Sequence, residues 1–309
     1  MPTTTRTGVL RTGALALALA MGVALAACGD DDDGGGGGGG GGQAITVGAA
    51  TFPESNILAQ IYGQALDAEG FDVTVEESFG ARAALLDGLG DGSVDLTPEY
   101  VGALLNELAG PDTATSDTAE SVELLEDAAA EDDLVVFEAS DAEDVDALAV
   151  TPETAEELGL ETYSDLAEAA GDLTLGAPPE CAELAACIPG LRDTYGIEFG
   201  EFVPLEAGPT IFEALESGQI DVARVFSTDP PIGENDLVVL EDDMGLNPVQ
   251  NVIPVGSADL DTQDVADVVN AVSAALTTET LIDLNARAII DKEDAKDVAA
   301  DFLEQEGLV

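Results

Sequence analysis

Apolar positions between residues 44 and 110 recur with two alternating periods. Ile45–Val47 is a short β-branched run. After a small-residue turn, Ala49–Ser55, the apolar residues Ile57, Leu58, Ile61, Tyr62, Ala65 and Leu66 share one face of a helix. Phe71, Val73 and Val75 then alternate with Asp72, Thr74 and Glu76, as in a half-buried strand. Gly70 stands between them, where a helix ends on a residue of positive φ. The pattern predicts a βαβ unit with a right-handed crossover and two parallel neighbouring strands. It leaves the Ala49–Ser55 loop at the carboxyl end of the first strand, where open parallel sheets bind ligands. Phe79 to Gly110 repeats the arrangement. A loop at Gly80 opens a short helix, Val94–Leu96 reads as a brief strand, and Thr97–Tyr100 reads as a loop before a helix through Leu108. In that reading Thr97 is the N-cap, Pro98 the first helical residue and Glu99 the first-turn acid. Three helix N-termini are thereby predicted to converge on one edge.

The alternation continues downstream. A helical segment within Asp112–Asp133 leads to a strand at Leu134–Phe137. The apolar run Ala147–Val150, followed by the cap Thr151-Pro152-Glu153, reads as a first crossing between two lobes. Glu161–Ala170 is predicted helical, Leu173–Gly176 a strand, Phe202–Leu205 a strand and Ile211–Leu215 a helix ended by Gly218. Ile220–Ala223 and Leu237–Leu240 follow as strands, and residues 250–255 return to the first lobe. Helices at Asp261–Thr277 and Asp291–Leu303, with Leu281–Ile290 between them, are expected to pack on that lobe. The expectation is a two-lobed α/β fold, with 44–146 and 255–309 in one lobe and 147–254 in the other.

Several phrases recur in a particular order: Val47-Gly48 with Phe52 and Glu54, then Ala59-Gln60 within the helix, then Asp95-Leu96-Thr97-Pro98-Glu99-Tyr100-Val101-Gly102. Further on come Thr162-Tyr163-Ser164-Asp165-Leu166-Ala167, Gly218-Gln219-Ile220-Asp221-Val222-Ala223, Phe226-Ser227-Thr228-Asp229 and the Asn247–Val255 stretch. The set resembles the substrate-binding proteins of ABC importers for glycine betaine, choline and related osmoprotectants, over nearly all of residues 44–309. The resemblance implies a type II periplasmic-binding-protein-like fold, a ligand cleft between the lobes, and closure around a small zwitterion or quaternary amine. It also implies transmembrane permease subunits as partners, no catalysis and no cofactor; a monomer is expected. The ligand-contact positions on this reading are Phe52 and Tyr100 for the cationic end and Arg82, Arg224 and Thr228 for a carboxylate, with Thr97, Phe212 and Gln250 also at the cleft. Relatives often carry tyrosine where Thr97 and Gln250 stand, and an arginine in the loop that here reads Cys181 to Cys187. The implied aromatic cage is therefore sparse. An amino acid or other small zwitterion, or a sensor or enzyme built on this fold, are the alternative readings.

The amino terminus reads as a targeting segment, from which a location outside the cytoplasm is expected. Residues 1–27 carry Arg6 and Arg11 ahead of the apolar Ala14–Ala24, and Leu25-Ala26-Ala27-Cys28 reads as a lipobox. Cleavage before Cys28 and acylation of its sulfur would anchor the chain to the membrane; the alternative is an ordinary secretory leader. The acidic, glycine-rich run to residue 43 reads as a tether. The chain has 64 acidic residues against 8 basic ones, no histidine and no tryptophan. Such a field argues against nucleic acid as partner and fits saline surroundings, where self-repulsion is screened. Without histidine there is no histidine-based triad or general base, and no Walker or nucleophile-elbow motif is present. Gly48, Gly80 and Gly176 are expected at strand-end turns. Cys181 and Cys187 are expected to form a disulfide, with free thiols as the alternative; a metal would want softer or more numerous ligands.

Overall fold

Ten strands among the described residues form two five-stranded sheets. The computed structural model describes residues 43–260 and 262–309; the expected leader, the expected lipidation site Cys28 and the glycine-rich run lie outside the described residues. The strands are β1 (Ala44–Ala50), β2 (Asp72–Gly80), β3 (Leu96–Tyr100), β4 (Leu134–Val136), β5 (Asp146–Val150), β6 (Thr174–Ala177), β7 (Glu201–Pro204), β8 (Val222–Phe226), β9 (Val238–Val239) and β10 (Val252–Ser257). The first sheet runs β2-β1-β3-β10-β4 and the second β7-β6-β8-β5-β9. β1 is parallel to β2, pairing Ile45 with Val73 and Val47 with Val75, as the alternating run predicts.

The helix of that first unit, α1 (Pro53–Ala68), starts with Pro53 at a position that needs no N–H and buries Ile57, Leu58, Ile61, Tyr62, Ala65 and Leu66. Gly70 ends it at φ +95. Each of the aliphatic side chains is worth about 1.5–3 kcal/mol of transfer free energy. Their partners come from the carboxyl-terminal helices Gln263–Ala275, Thr278–Asn285 and Ala295–Glu306, through Val265, Val269, Leu281, Val298 and Phe302. The chain end thus packs on the first lobe. Behind the first sheet, α2 (Arg82–Asp91), α3 (Val101–Ala109) and α4 (Thr118–Glu131) close a second core around Leu85, Leu104, Leu105, Leu125 and Ile253. The second sheet is likewise sandwiched, with Leu148, Tyr163, Leu175 and Val222 on one face and Ile211, Phe212, Leu215 and Val225 on the other.

Two expectations are corrected. Thr97–Tyr100 is strand, not loop: Thr97 pairs with Val255, Glu99 with Ile253 and Tyr100 with Val252 of antiparallel β10. Pro98 faces Pro254, a pair in which neither residue has an N–H to donate, so proline is tolerated there. Helix α3 begins only at Val101, with Tyr100 as its N-cap. Gly48 and Gly176 lie within β1 and β6 rather than at turns. A Cβ on Gly176 would stand 2.4 Å from Ile220 Cδ1, so close packing, not a bend, requires glycine there.

Cys181 and Cys187 are joined in a disulfide with their Cα atoms 5.2 Å apart. Tyr163, whose ring meets Tyr195 edge-on at 5.4 Å, accepts the Leu148 N–H on its hydroxyl at 3.0 Å. Both rings pack in the core of the second sheet.

Candidate functional site

The chain passes between the sheets along two stretches that are hydrogen-bonded side by side. Ser140 N–H donates to Val252 C=O at 2.8 Å, Val252 N–H to Ala142 C=O at 2.9 Å and Asp144 N–H to Gln250 C=O at 3.1 Å. Glu143 and Asn251 form an antiparallel bridge between them. The loop after β8 is tied to the first of these stretches. Ser227 N–H donates to Val145 C=O at 2.9 Å, its hydroxyl donates to Glu143 C=O at 2.6 Å, and Thr228 donates to Asp144 Oδ1 at 2.8 Å. Ser227 and Thr228 are thus more than turn caps: they fasten the second sheet to the crossing.

Beside this junction lies a pocket of about 340 Å³ whose wall includes Phe52, Glu54, Asp144, Phe226, Asp229 and Asn285. Phe52 and Phe226 are 40% and 44% exposed, which is unusual for phenylalanine. Tyr100 packs its ring 6.2 Å from that of Phe52 and donates its hydroxyl to Glu54 Oε1 at 2.5 Å. Asn285 Nδ2 donates to Glu54 Oε2 at 2.5 Å and to Thr228 C=O at 3.1 Å. One buried carboxyl on α1 therefore links the first sheet, the second sheet and the carboxyl-terminal helices.

Burial sets the electrostatics here. It holds the Glu54 carboxyl above the usual range against its hydrogen bonds to Tyr100 and Asn285. Asp144 is pushed up to about 7, first by burial and then by the charge of Glu54. Asp229 is raised by burial as well, with Glu54 adding to it and the Phe226 N–H opposing. Tyr100 is raised well above its ordinary value by burial and by the acids around it.

The structure brings together Phe52, Tyr100 and Thr228 of the predicted contact residues. Arg82 instead forms a forked ion pair with the buried Glu99, its Nε at 3.0 Å and its Nη2 at 2.9 Å. Arg224 is 2.6 Å from Asp146 on the neighbouring strand β5. Burial raises Asp146 while Arg224 pulls it back. Gln250 accepts the Ala103 N–H at 3.1 Å and so satisfies an open amide of the first turn of α3. Thr97 is fully buried in β3, its hydroxyl within 3.4 Å of Pro98 C=O. Phe212 is buried in the core of the second sheet among Ile211, Leu215 and Val225, so it presents no face to the cleft. Sequence reasoning passed over Glu54, Asp144, Phe226 and Asn285. Glu54 and Phe226 stood inside quoted motifs and offered a signal; Asn285, 231 residues from Glu54, offered none. Among the described residues no cluster of three or more acids, cysteines or histidines is arranged to hold a metal ion.

Residues 43–305 match the family described as the substrate binding domain of ABC-type glycine betaine transport systems. The chain is 29% identical to a glycine-betaine-binding protein of Pseudomonas aeruginosa, over 86% of this chain and 89% of that one. It is 26% identical to the glycine betaine-binding protein YehZ of Escherichia coli, over 85% and 90%. A crystal structure described as a glycine betaine/carnitine/choline ABC transporter superposes with a TM-score of 0.80 at 25% identity, covering 85% of this chain and 99% of that one.

Proposed function

This chain belongs to the family of substrate-binding domains of ABC-type glycine betaine transport systems, and we propose that it captures a small betaine- or choline-type solute between its two lobes and presents the closed complex to permease subunits. The observation that carries this reading is the junction pocket, where exposed Phe52 and Phe226 face a set of carboxyls between the two sheets. Aromatic faces attract quaternary ammonium groups by about 0.5–2 kcal/mol each. The lobes are assigned as 44–146 with 255–309 and as 147–254; β5 starting at Asp146 and β10 starting at Val252 support boundaries near these positions. Closure about the paired crossings would bury the solute, and the closed state is what the permease would recognise. Phe52, Tyr100 and Thr228 are the proposed contacts from the sequence reading; the hydroxyls of Tyr100 and Thr228, like Arg82, Thr97, Arg224 and Gln250, would act on the ligand only by exchanging their present partners.

The protein is proposed to work outside the cytoplasm as a monomer, held to the membrane by lipid on Cys28. The lipobox and the glycine-rich run after it support the location and the anchor. Metabolic labelling with radioactive palmitate tests it: label should enter the wild-type chain and not the Cys28→Ser variant.

The experiment for the function is calorimetric titration at about 2 M salt, where the short Debye length relieves acidic self-repulsion. Glycine betaine, choline, proline betaine, carnitine and a panel of amino acids are the titrants. Saturable heat with a quaternary amine is the expected result. Heat from amino acids alone would leave the two-lobed binding function and remove the osmoprotectant assignment.

A further inference from the structure

The helix Thr278–Asn285 serves the first sheet with one face and the second sheet with the next. Leu281 and Leu284 are buried in the core that α1 shares with the carboxyl-terminal helices. Thr278, Ile282 and Asn285 stand at i, i+4 and i+7, so they line a neighbouring stripe of the same helix. Each of the three meets a partner outside the first sheet. Thr278 Oγ1 accepts the Glu143 N–H of the crossing stretch at 2.9 Å. Ile282, half-buried, packs on the second-sheet core of Ile211, Phe212 and Ile232, and a Cβ on Gly233 of the short helix Pro231–Glu234 would lie 3.1 Å from its Cγ2. Asn285 Nδ2 donates at 3.1 Å to the C=O of Thr228, in the loop after β8.

The two sheets are therefore joined three times, by the two crossing stretches and by this helix, and the third joint is non-covalent. At 1.5 Å of rise per residue, Ile282 and Asn285 stand about 6 and 10 Å along the helix from Thr278, which is fixed to the crossing. They are the contacts that a turn of the second sheet about the crossings has to shift. One apolar contact and one neutral hydrogen bond make a joint that a bound solute can outweigh, yet that biases the equilibrium when no solute is present. The rings of Phe52 and Phe226 stand exposed while these contacts are made, so the helix grips the second sheet in an unclosed arrangement.

We propose that the helix Thr278–Asn285 is a strut that holds the two sheets at their ligand-free angle, with the Ile282 contact at Gly233 setting how readily they close. Closure shifts or breaks that contact, so a stronger contact lowers the affinity for whatever solute the closed form holds. Neither residue lines the junction pocket, so affinity is tuned from outside it. The inference rests on the lobe-closure reading above and adds its regulation.

The test puts spin labels at two exposed helix positions, Glu126→Cys on α4 against the first sheet and Glu168→Cys on the helix Tyr163–Ala169 against the second, in the full chain carrying Cys28→Ser. Double electron resonance then reads the distances between them. Without solute, the parent chain should give one main distance. Ile282→Ala should add a second population. Gly233→Val, at an exposed position, wedges the same contact from the other side and should add the same population. In calorimetric titration with glycine betaine and with choline, both variants should bind whichever solute the parent takes at least about threefold more tightly. A parent-like distance distribution in either variant that still unfolds cooperatively, or an affinity no tighter than the parent's, overturns the strut and leaves the solute-binding function standing. If neither solute, nor carnitine or an amino acid, gives heat with the parent chain, the solute-binding reading falls, and the distances in ligand-free protein still decide the strut.

Discussion

The two lobes share one sheet plan and are held together by different means. In each, the second strand in order, β1 or β6, has parallel neighbours on both sides, and a crossing strand, β10 or β5, is inserted antiparallel at the fourth position. The connection that follows β1 and its counterpart β6 differs. In the first lobe, β1 and β2 are joined by the sixteen-residue α1, buried on its sheet face and under the terminal helices. In the second, β6 and β7 are joined by short turns, Pro179–Ala182, Ile188–Gly190 and Leu191–Tyr195, across which Cys181 and Cys187 are bonded. A long amphipathic helix stabilises its lobe by removing apolar surface from water. A stretch with too few turns to do so is constrained covalently, and that acts chiefly on the unfolded chain. The lesson is that one topology tolerates a hydrophobic or a covalent solution at the same place.

The largest expected effect tests the hydrophobic half of this contrast. Ile61→Ala, at a fully buried position on α1, should cost about 2–5 kcal/mol in denaturant unfolding at high salt. A cost under about 1 kcal/mol would mean that α1 is not what holds the first lobe. The covalent half comes next. Replacing Cys181 and Cys187 together by serine should cost roughly 2 kcal/mol, the loop-closure entropy of so short a ring. Hydrogen exchange should quicken over 174–204 and stay unchanged over 44–80; equal quickening in both lobes would refute the contrast.

Two smaller effects concern the place where the lobes meet. Tyr100→Phe removes the hydroxyl that serves Glu54 and should lower stability by about 1 kcal/mol in the same unfolding assay. No change would mean that water replaces it without loss. The last effect is a pH dependence. The folded chain holds the Asp144 proton up to about 7, against an ordinary value of 3.8, so between these values it binds a proton that the unfolded chain has released. The stabilisation is fully present below 3.8 and is lost as pH rises through about 7. The carboxyls of Glu54, Asp146 and Asp229 act on Asp144 and share the background slope. The Asp144→Asn variant should therefore show a flatter fall in thermal midpoint over that window than the wild type, and parallel curves would remove Asp144 as its source.

How much of this was legible in the chain follows from the range of the forces involved. Period and punctuation are local: the alternation at Phe71–Glu76, the apolar face of α1 and the stop at Gly70 were determined by sequence alone. So was the overall α/β order, and with it the resemblance to a family. Local rules misread Thr97–Tyr100, because a Thr-Pro-Glu start suits a helix and only the antiparallel partner β10 holds it extended. The site was the least legible part. Whether an arginine faces a ligand depends on which acid stands across the strand, and tertiary packing put Glu99 beside Arg82 and Asp146 beside Arg224. The same packing brought Asn285 to Glu54, turned Phe212 into the core and left Phe226 exposed. Sequence by itself determined the elements and the family, since those depend on neighbours within a few residues; the tertiary structure decided which side chains are spent on holding the lobes and which remain open to a ligand, since that depends on partners far along the chain.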